Sequence, residues 1–575
     1  MILIRKNKLW QRLQHPFAWL QSWHGVLFIA LATLSVLLLR SPWSNRMLSP
    51  NLEPFPDTFH YLRPVQNFIT GDGFHMGREG RFLAPAVPPL YSISMFPVFL
   101  LGTDVRAFYL VNAVLSLASV IVFWSALKRI NKEIPVWGGV ILIALITHPA
   151  FYWFPELAMA ENLLIFFVAL GIYLSTLQVT AKTTLIFGVF PWVFYATKYA
   201  AAPTTAVFFF LFLAKIGFSS EFRALLWRQK VSRLAIYFLA SVLVFLLLVF
   251  FEWQLKQEIP LQSFFFLLAS WFPQLAGSLP GKEVNTDYFS LMNVAEHFPS
   301  YWQSFFGRKI PLLWEQHDVS SLPLGVLSML GFIWALSRAQ WRLLAIGGVS
   351  LLIVQSLFMS TFYVIDSRYV FHLIFFILLG FFFFGSWVYE SLQKRNAVMW
   401  VYLFLTVLVL AIIGISRFTE LKLQLIVNLK ATKSPWYYLA VRNLDEVISP
   451  KVLAGEKLAV ITPMSPYLLD FYMTAHPPLL PLSLVQDNNS EARRAAVWGT
   501  PANVEPTDLY RSYVDNGYVL YLTNYGLGNE KVMHAAYDLL EEEFTLVEIQ
   551  EGCLETCNVY RVTEKEKWLI LDSNQ

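Results

Sequence analysis

Apolar runs recur along the chain near 24–40, 106–127, 135–150, 157–178, 184–198, 200–216, 234–253, 322–337, 343–361, 369–389 and 398–416. Most approach the roughly 20 residues that a helix needs to cross a bilayer. A backbone in lipid must satisfy its own polar groups, so such runs fold as helices. The expected fold is therefore a polytopic α-helical membrane protein of about eleven transmembrane helices. Composition agrees: only 14% of residues are charged, against roughly 25% in soluble domains, and the mean hydropathy is +0.51.

Charge orients the spans. The connections 128–133, 179–183, 215–233, 338–342 and 390–396 hold thirteen Lys and Arg, whereas the short connections near 150, 199 and 364 hold only Lys198 and Arg368. The positive-inside rule puts the first set, and the basic N-terminus 1–23, in the cytoplasm. No small-residue cleavage site follows the run from Val26 to Leu39, so that run is expected to stay as the first span. The membrane domain then covers 24–416, with long outer loops at 41–105 and 254–321. The second loop is rich in Phe and Trp and is expected to carry interfacial helices.

From about Arg417 the character changes. This tail has 14 Lys and Arg against 21 Asp and Glu, a net of −7, leaving +11 for the remainder. An acidic tail beyond a basic membrane part fits export of 417–575 and says nothing of nucleic acid. Strand-like runs at KLAVIT (457–462), YVLYLT (518–523) and NVYRVT (558–563), with a helical pattern from Glu530 to Glu542, predict a small α/β or α+β domain. The only cysteines, Cys553 and Cys557, lie here. They suit an oxidising compartment, either as a short disulfide or as two thiols.

Three polar clusters fall on the predicted outer face. PFPDTFHYLRPVQNF supplies Asp57, His60, Tyr61 and Arg63, followed by GDGF (71–74) and the turn-like PAVPPLYS (85–92). WFPELAMAEN supplies Glu156 and Glu161, and YVIDSRYVFH supplies Asp366, Arg368, Tyr369 and His372; Lys198 joins them from YATKYAAAP. Each has a plainer reading. Asp57 could cap a helix starting after Pro56, Glu156 could be a solvated interfacial residue, and Lys198 and Arg368 could snorkel to the interface. Glu161 lies about a turn inside an apolar stretch, where a charge costs on the order of 2.5–3.5 kcal/mol and usually faces a partner. Their convergence on one side favours chemistry at the membrane surface. A lipid-linked phosphosugar keeps its tail in the bilayer and its phosphate at the interface. Cations at helix ends suit that phosphate, and a nearby carboxylate can deprotonate an acceptor hydroxyl.

The order of these motifs resembles the GT-C glycosyltransferases. An Asp-x-x-x-Tyr segment (Asp57 to Tyr61) leads to Pro88-Pro89, then to AMAEN, the Thr197-Lys198 pair and the Arg368-Tyr369 pair. Within that superfamily the chain is similar to bacterial relatives of protein O-mannosyltransferases and of aminoarabinose transferases acting on lipid A. The resemblance covers about 24–416. It implies an inverting transferase at the outer face of a bacterial inner membrane, moving a hexose or pentose from a polyprenyl-phosphate donor to a glycan, lipid or protein acceptor. In that scheme Asp57 is the base, Lys198 and Arg368 hold the donor phosphate, and Glu161 is a second acidic position. His60, Tyr61, Asp366 and Tyr369 support them. No cofactor is expected; many relatives carry an acidic residue after the first Asp where this chain has Thr58, which leaves a metal without a defined place. A lipid-sugar flippase would favour midplane charges and internal repeats, neither of which is visible. A non-catalytic assembly protein would not need four charged positions on one side.

Overall fold

The computed structural model describes residues 22–38, 57–256, 289–393 and 436–565, apart from short breaks of which 483–497 is the longest, and four isolated positions between 408 and 422. The chain divides into two compact units that do not follow chain order. The first is drawn from 1–41, 87–94 and 107–430, the second from 42–86, 95–106 and 431–575.

The first unit is helical. Ten of the eleven expected runs are helices at nearly the expected places, from Trp23–Leu38 to Ile374–Gln393; the run 398–416 lies almost wholly outside the described residues. Among the described residues, five helices are long and apolar enough to cross a bilayer: Leu110–Ile130, Tyr199–Phe218, Trp227–Gln254, Arg342–Ser360 and Phe371–Gln393. This is an integral membrane protein. Three details differ from expectation. The run 184–198 is two helices, Ala181–Val189 and Trp192–Thr197, because Pro191 lacks the N–H that would continue the ladder. PAVPPLYS is not a turn throughout, since Pro89 opens a helix to Ser94, a position where its missing N–H costs nothing. The segment expected as the second outer loop holds, besides an expected helix, Val294–Ser304, a short hairpin of β1 (Ile310–Leu312) and β2 (Glu315–His317), while 257–288 lies outside the described residues.

Packing separates the helices by role. Helix Ile374–Gln393 is buried on all sides from Ile374 to Phe383, as a helix apolar all round should be. Helix Trp227–Lys256 instead exposes Leu239, Leu243, Leu246, Leu247 and Phe250; in a bilayer that surface faces acyl chains. The central helix meets its neighbours through small residues. A Cβ on Gly331 would overlap the carbonyl oxygen of Gly380, and one on Gly380 would overlap the Ser328 hydroxyl. Such close backbone approach is how membrane helices gain dispersion contact without a hydrophobic effect between them. Gly331→Ala is therefore expected to cost about 1–3 kcal/mol by overpacking, read as a lower unfolding midpoint in detergent. Gly217→Ala, where an added Cβ meets nothing within 4 Å, is the control and should leave the midpoint unchanged or slightly higher.

The second unit is built on a mixed five-stranded sheet. Its strands are β3 (Leu458–Thr462), β4 (Leu479–Pro481), β5 (Val519–Thr523), β6 (Phe544–Gln550) and β7 (Val559–Glu564), in the order β4-β3-β5-β7-β6. β3 pairs in parallel with β4 and β5, and β7 pairs antiparallel with β5 and β6. β3 is buried along its whole length, which explains its unbroken apolar sequence. Ala459, Ile461, Leu520, Leu522 and Val562 pack with Leu509 and Tyr510 of helix Pro506–Asp515 and with Leu540 of helix Lys531–Glu543. The three expected strands and the expected helix are all present; β4 and β6 are additional. Cys553 and Cys557 lie outside the described residues.

The same unit contains part of the segment expected as the first outer loop. Helix Asp57–Thr70 lies against helix Pro466–Tyr472, with the rings of Phe59 and Phe471 6.4 Å apart. Asp470, buried to 4%, sits 2.9 Å from Arg78 and 3.5 Å from Arg63. The GDGF segment turns at Gly71 and Gly73, with φ of 92° and 100°, a region open to glycine at little cost. Asn67 then ties the loop down, donating to the carbonyls of His75 at 2.8 Å and Gly77 at 3.1 Å.

Candidate active site

In the first unit, five of the residues singled out from the sequence meet. Glu161 is the first residue of helix Glu161–Ser175, where the helix dipole favours a carboxylate. Lys198 follows helix Trp192–Thr197 in extended conformation, φ −155° and ψ 125°, its N–H closing that helix onto Phe194. The helix break at Pro191 and this extended residue turn the lysine back to Glu161, and Nζ pairs with Oε1. Both are nearly enclosed, Lys198 being 11% and Glu161 3% exposed.

The second cation comes from a short 3₁₀ turn, Ser367–Tyr369. Asp366 caps it, its side chain accepting from the Arg368 N–H at 2.9 Å and facing Arg368 Nε at 3.0 Å. The Arg368 guanidinium also donates to the Tyr369 hydroxyl at 3.1 Å. Both cations lie over the Tyr369 ring: Lys198 Nζ and Arg368 Cζ are each 5.0 Å from its centroid. That is cation–π range, worth about 0.5–2 kcal/mol each. Behind the turn, Tyr301 accepts from the Asp366 N–H at 3.0 Å, a support that the sequence did not point to.

The cluster thus holds two cations, two carboxylates and one phenol, with no net charge when all four ionise. Glu161 Oε2 and the neighbouring Asn162 Nδ2 are buried and lack hydrogen-bond partners among the described residues. Burial pushes the Asp366 carboxyl above its ordinary 3.8, with Arg368 as the main opposing influence. A raised carboxyl keeps its proton in the folded state where the unfolded chain has released it. Its contribution to stability is full below the ordinary value and lost as pH rises through the raised one. Asp366→Asn should remove that loss, so the unfolding midpoint should vary less with pH from about 4 upward.

Asp57, His60 and Tyr61 belong to the second unit, within the first turns of helix Asp57–Thr70. Tyr61 is buried to 3% and His60 is half-buried; the side chain of Asp57 is outside the described atoms, as is that of Glu156. Sequence reasoning missed Asp470, which holds Arg63, and Arg78, which shares that carboxylate. The available signal was a lone acid inside the apolar stretch PYLLDFY. Among the described residues no group of three or more His, Cys, Asp or Glu side chains could hold a metal.

No family model matches the sequence, and no curated protein matches it. Solved structures do. ArnT from Cupriavidus metallidurans in the apo state aligns with a TM-score of 0.52 at 13% identity, over 94% of this chain and 98% of that one. The same protein bound to undecaprenyl phosphate gives 0.53 at 14% identity, over 93% and 98%. Identity this low speaks for architecture alone, but the alignment runs almost end to end in both chains. The chain has the fold of ArnT over almost its whole length, and its motif order resembles that of the GT-C glycosyltransferases.

Proposed function

We propose that the chain is an inverting glycosyltransferase that moves a sugar from a polyprenyl-phosphate donor to an acceptor hydroxyl at the outer face of a bacterial inner membrane. The observation that carries this reading is the pair of nearly enclosed cations, Lys198 and Arg368, each 5.0 Å from the Tyr369 ring centroid at the ends of membrane helices. A phosphate whose lipid tail lies in the bilayer meets such a pair without leaving the interface. ArnT, of similar fold, has been crystallised with undecaprenyl phosphate, which supports a lipid-phosphate donor. The charge asymmetry of the connections supports a cytoplasmic N-terminus and a periplasmic tail.

In the proposed reaction the acceptor oxygen bonds to the anomeric carbon as the bond from that carbon to the phosphate oxygen breaks. Polyprenyl phosphate leaves with the bonding pair, and the hydroxyl proton passes to Asp57. Lys198 and Arg368 neutralise the charge growing on the leaving phosphate, the kind of preorganised stabilisation that usually contributes most to rate. Arg368 can offer two N–H groups at once, which a lysine in its place could not. Glu161 holds the Lys198 ammonium, and its second oxygen, with Asn162 beside it, offers an acceptor and a donor to hydroxyls of the sugar. Tyr369 fixes the cations, Asp366 and Tyr301 fix the arginine turn, and His60 and Tyr61 support the helix of the base. The scheme uses no cofactor.

The test is transfer by purified protein in lipid, from a panel of radiolabelled polyprenyl-phosphate hexoses and pentoses to cell-envelope glycolipids, polymers and proteins. Labelled product from one donor, with the anomeric configuration inverted, is the expected result. Translocation of labelled lipid without transfer from any donor would replace this reading with a flippase.

A further inference from the structure

Helix Arg342–Ser360 carries one primary amide on its packed face. Gln355 is fully buried, and a buried amide must find partners for two N–H groups and an oxygen or cost stability. Its Nε2 donates to the carbonyl of Ala200 at 2.9 Å and to that of Tyr369 at 3.3 Å. Its Oε1 accepts from the Thr204 hydroxyl at 3.3 Å. The orientation is forced chemically, because a flipped amide would point its oxygen at two carbonyl oxygens. Thr204 has one proton to give. With that proton on Gln355, its oxygen accepts from His372 Nε2, 3.4 Å away. The remaining ring nitrogen of His372, buried and without a partner among the described residues, is then the one without hydrogen.

The two carbonyls belong to the turns that carry the cations. Ala200 is the middle residue of the 3₁₀ turn Tyr199–Ala201, directly after Lys198, and Tyr369 closes the turn that holds Arg368. Residues 169 positions apart therefore meet on a single amide, on the backbone side of the same tyrosine whose ring lies 5.0 Å from both cations. We propose that Gln355 is a positioning residue for the donor phosphate: its two N–H groups set the spacing of the Lys198 and Arg368 turns so that both cations address one phosphate. This rests on the donor-site reading above. A residue that merely packs the core would affect folding without coupling to the cations.

The experiment measures binding of undecaprenyl phosphate to the full chain in lipid nanodiscs. The variants are Gln355→Leu, Gln355→Met as a second volume-conserving choice, Lys198→Gln, Arg368→Gln and the double variant of Gln355→Leu with Arg368→Gln. Thermal unfolding of each confirms that it is folded. Gln355→Leu or Gln355→Met is expected to weaken binding about tenfold, the effect of one to two net hydrogen bonds. Thr204→Val, which leaves both bridging N–H bonds in place, should stay within about twofold of wild type. In the Arg368→Gln background the Gln355→Leu effect should shrink below about twofold, because one cation has no spacing to set. An equal loss in both backgrounds, or none in either, overturns the positioning role alone. Unchanged binding in both Lys198→Gln and Arg368→Gln overturns the donor-site reading, and the inference with it.

Discussion

Asp57→Asn should lower the turnover of sugar transfer by about 10²–10⁴, the usual contribution of a general base, while undecaprenyl phosphate binds as in wild type. The substitution keeps the size of the side chain and removes the proton acceptor. The acceptor hydroxyl then has to lose its proton to water while it attacks, and the barrier rises at the chemical step alone. The loss should therefore fall on kcat and kcat/KM for the acceptor, with the donor's binding constant intact. Initial rates with labelled donor at saturating acceptor, beside equilibrium binding of undecaprenyl phosphate, separate the two. Full turnover in Asp57→Asn would leave a transferase whose base lies elsewhere; loss of donor binding would make Asp57 a donor-site residue.

The second large effect concerns the ion pair of Lys198 and Glu161. Both groups are nearly enclosed, so removing one strands the other's charge. Lys198→Gln or Glu161→Gln alone is expected to cost about 3–5 kcal/mol of stability. The double variant exchanges the ion pair for two neutral amides that can hydrogen-bond each other, and should recover most of that loss. Donor binding should not recover with it. A charged hydrogen bond to phosphate contributes about 1.5–3 kcal/mol, so the folded double variant should bind undecaprenyl phosphate some 10- to 100-fold more weakly than wild type. Stability restored with affinity still lost assigns Lys198 a ligand role distinct from its part in the fold. Recovery of both would make the pair a packing device and remove Lys198 from the donor site.

These two experiments probe different units of the molecule, which bears on what the tail is for. Asp57 is carried by helix Asp57–Thr70, and Asp470 of the tail holds that helix through Arg63 and the loop after it through Arg78. The buried carboxylate between two guanidiniums and the Phe59–Phe471 contact make the loop helix and the tail helix one packed piece. The tail therefore supports part of the region in which the base is proposed, apart from any role in shaping an acceptor site.

The sequence by itself determined where the helices lie and what the tail contains, because those signals are local. A bilayer demands a run of about 20 apolar residues whatever its neighbours are, and a strand buried on both faces, such as Leu458–Thr462, is apolar throughout. The strand Leu479–Pro481 is apolar but only three residues long, and Phe544–Gln550 at the sheet edge is mixed, so only pairing with β3 and β7 makes them strands. The charged positions were legible as candidates on one predicted face, but not their partners. Lys198 meets Glu161 across 37 residues and shares a tyrosine ring with Arg368 across 170, while Arg63 meets Asp470 across 407. Gln355 gave no signal at all, since one amide in an apolar helix is ordinary until two carbonyls are brought to it. Tertiary packing decided these contacts, because the free energy of burying a charge or an amide depends on which groups the fold brings within about 3 Å.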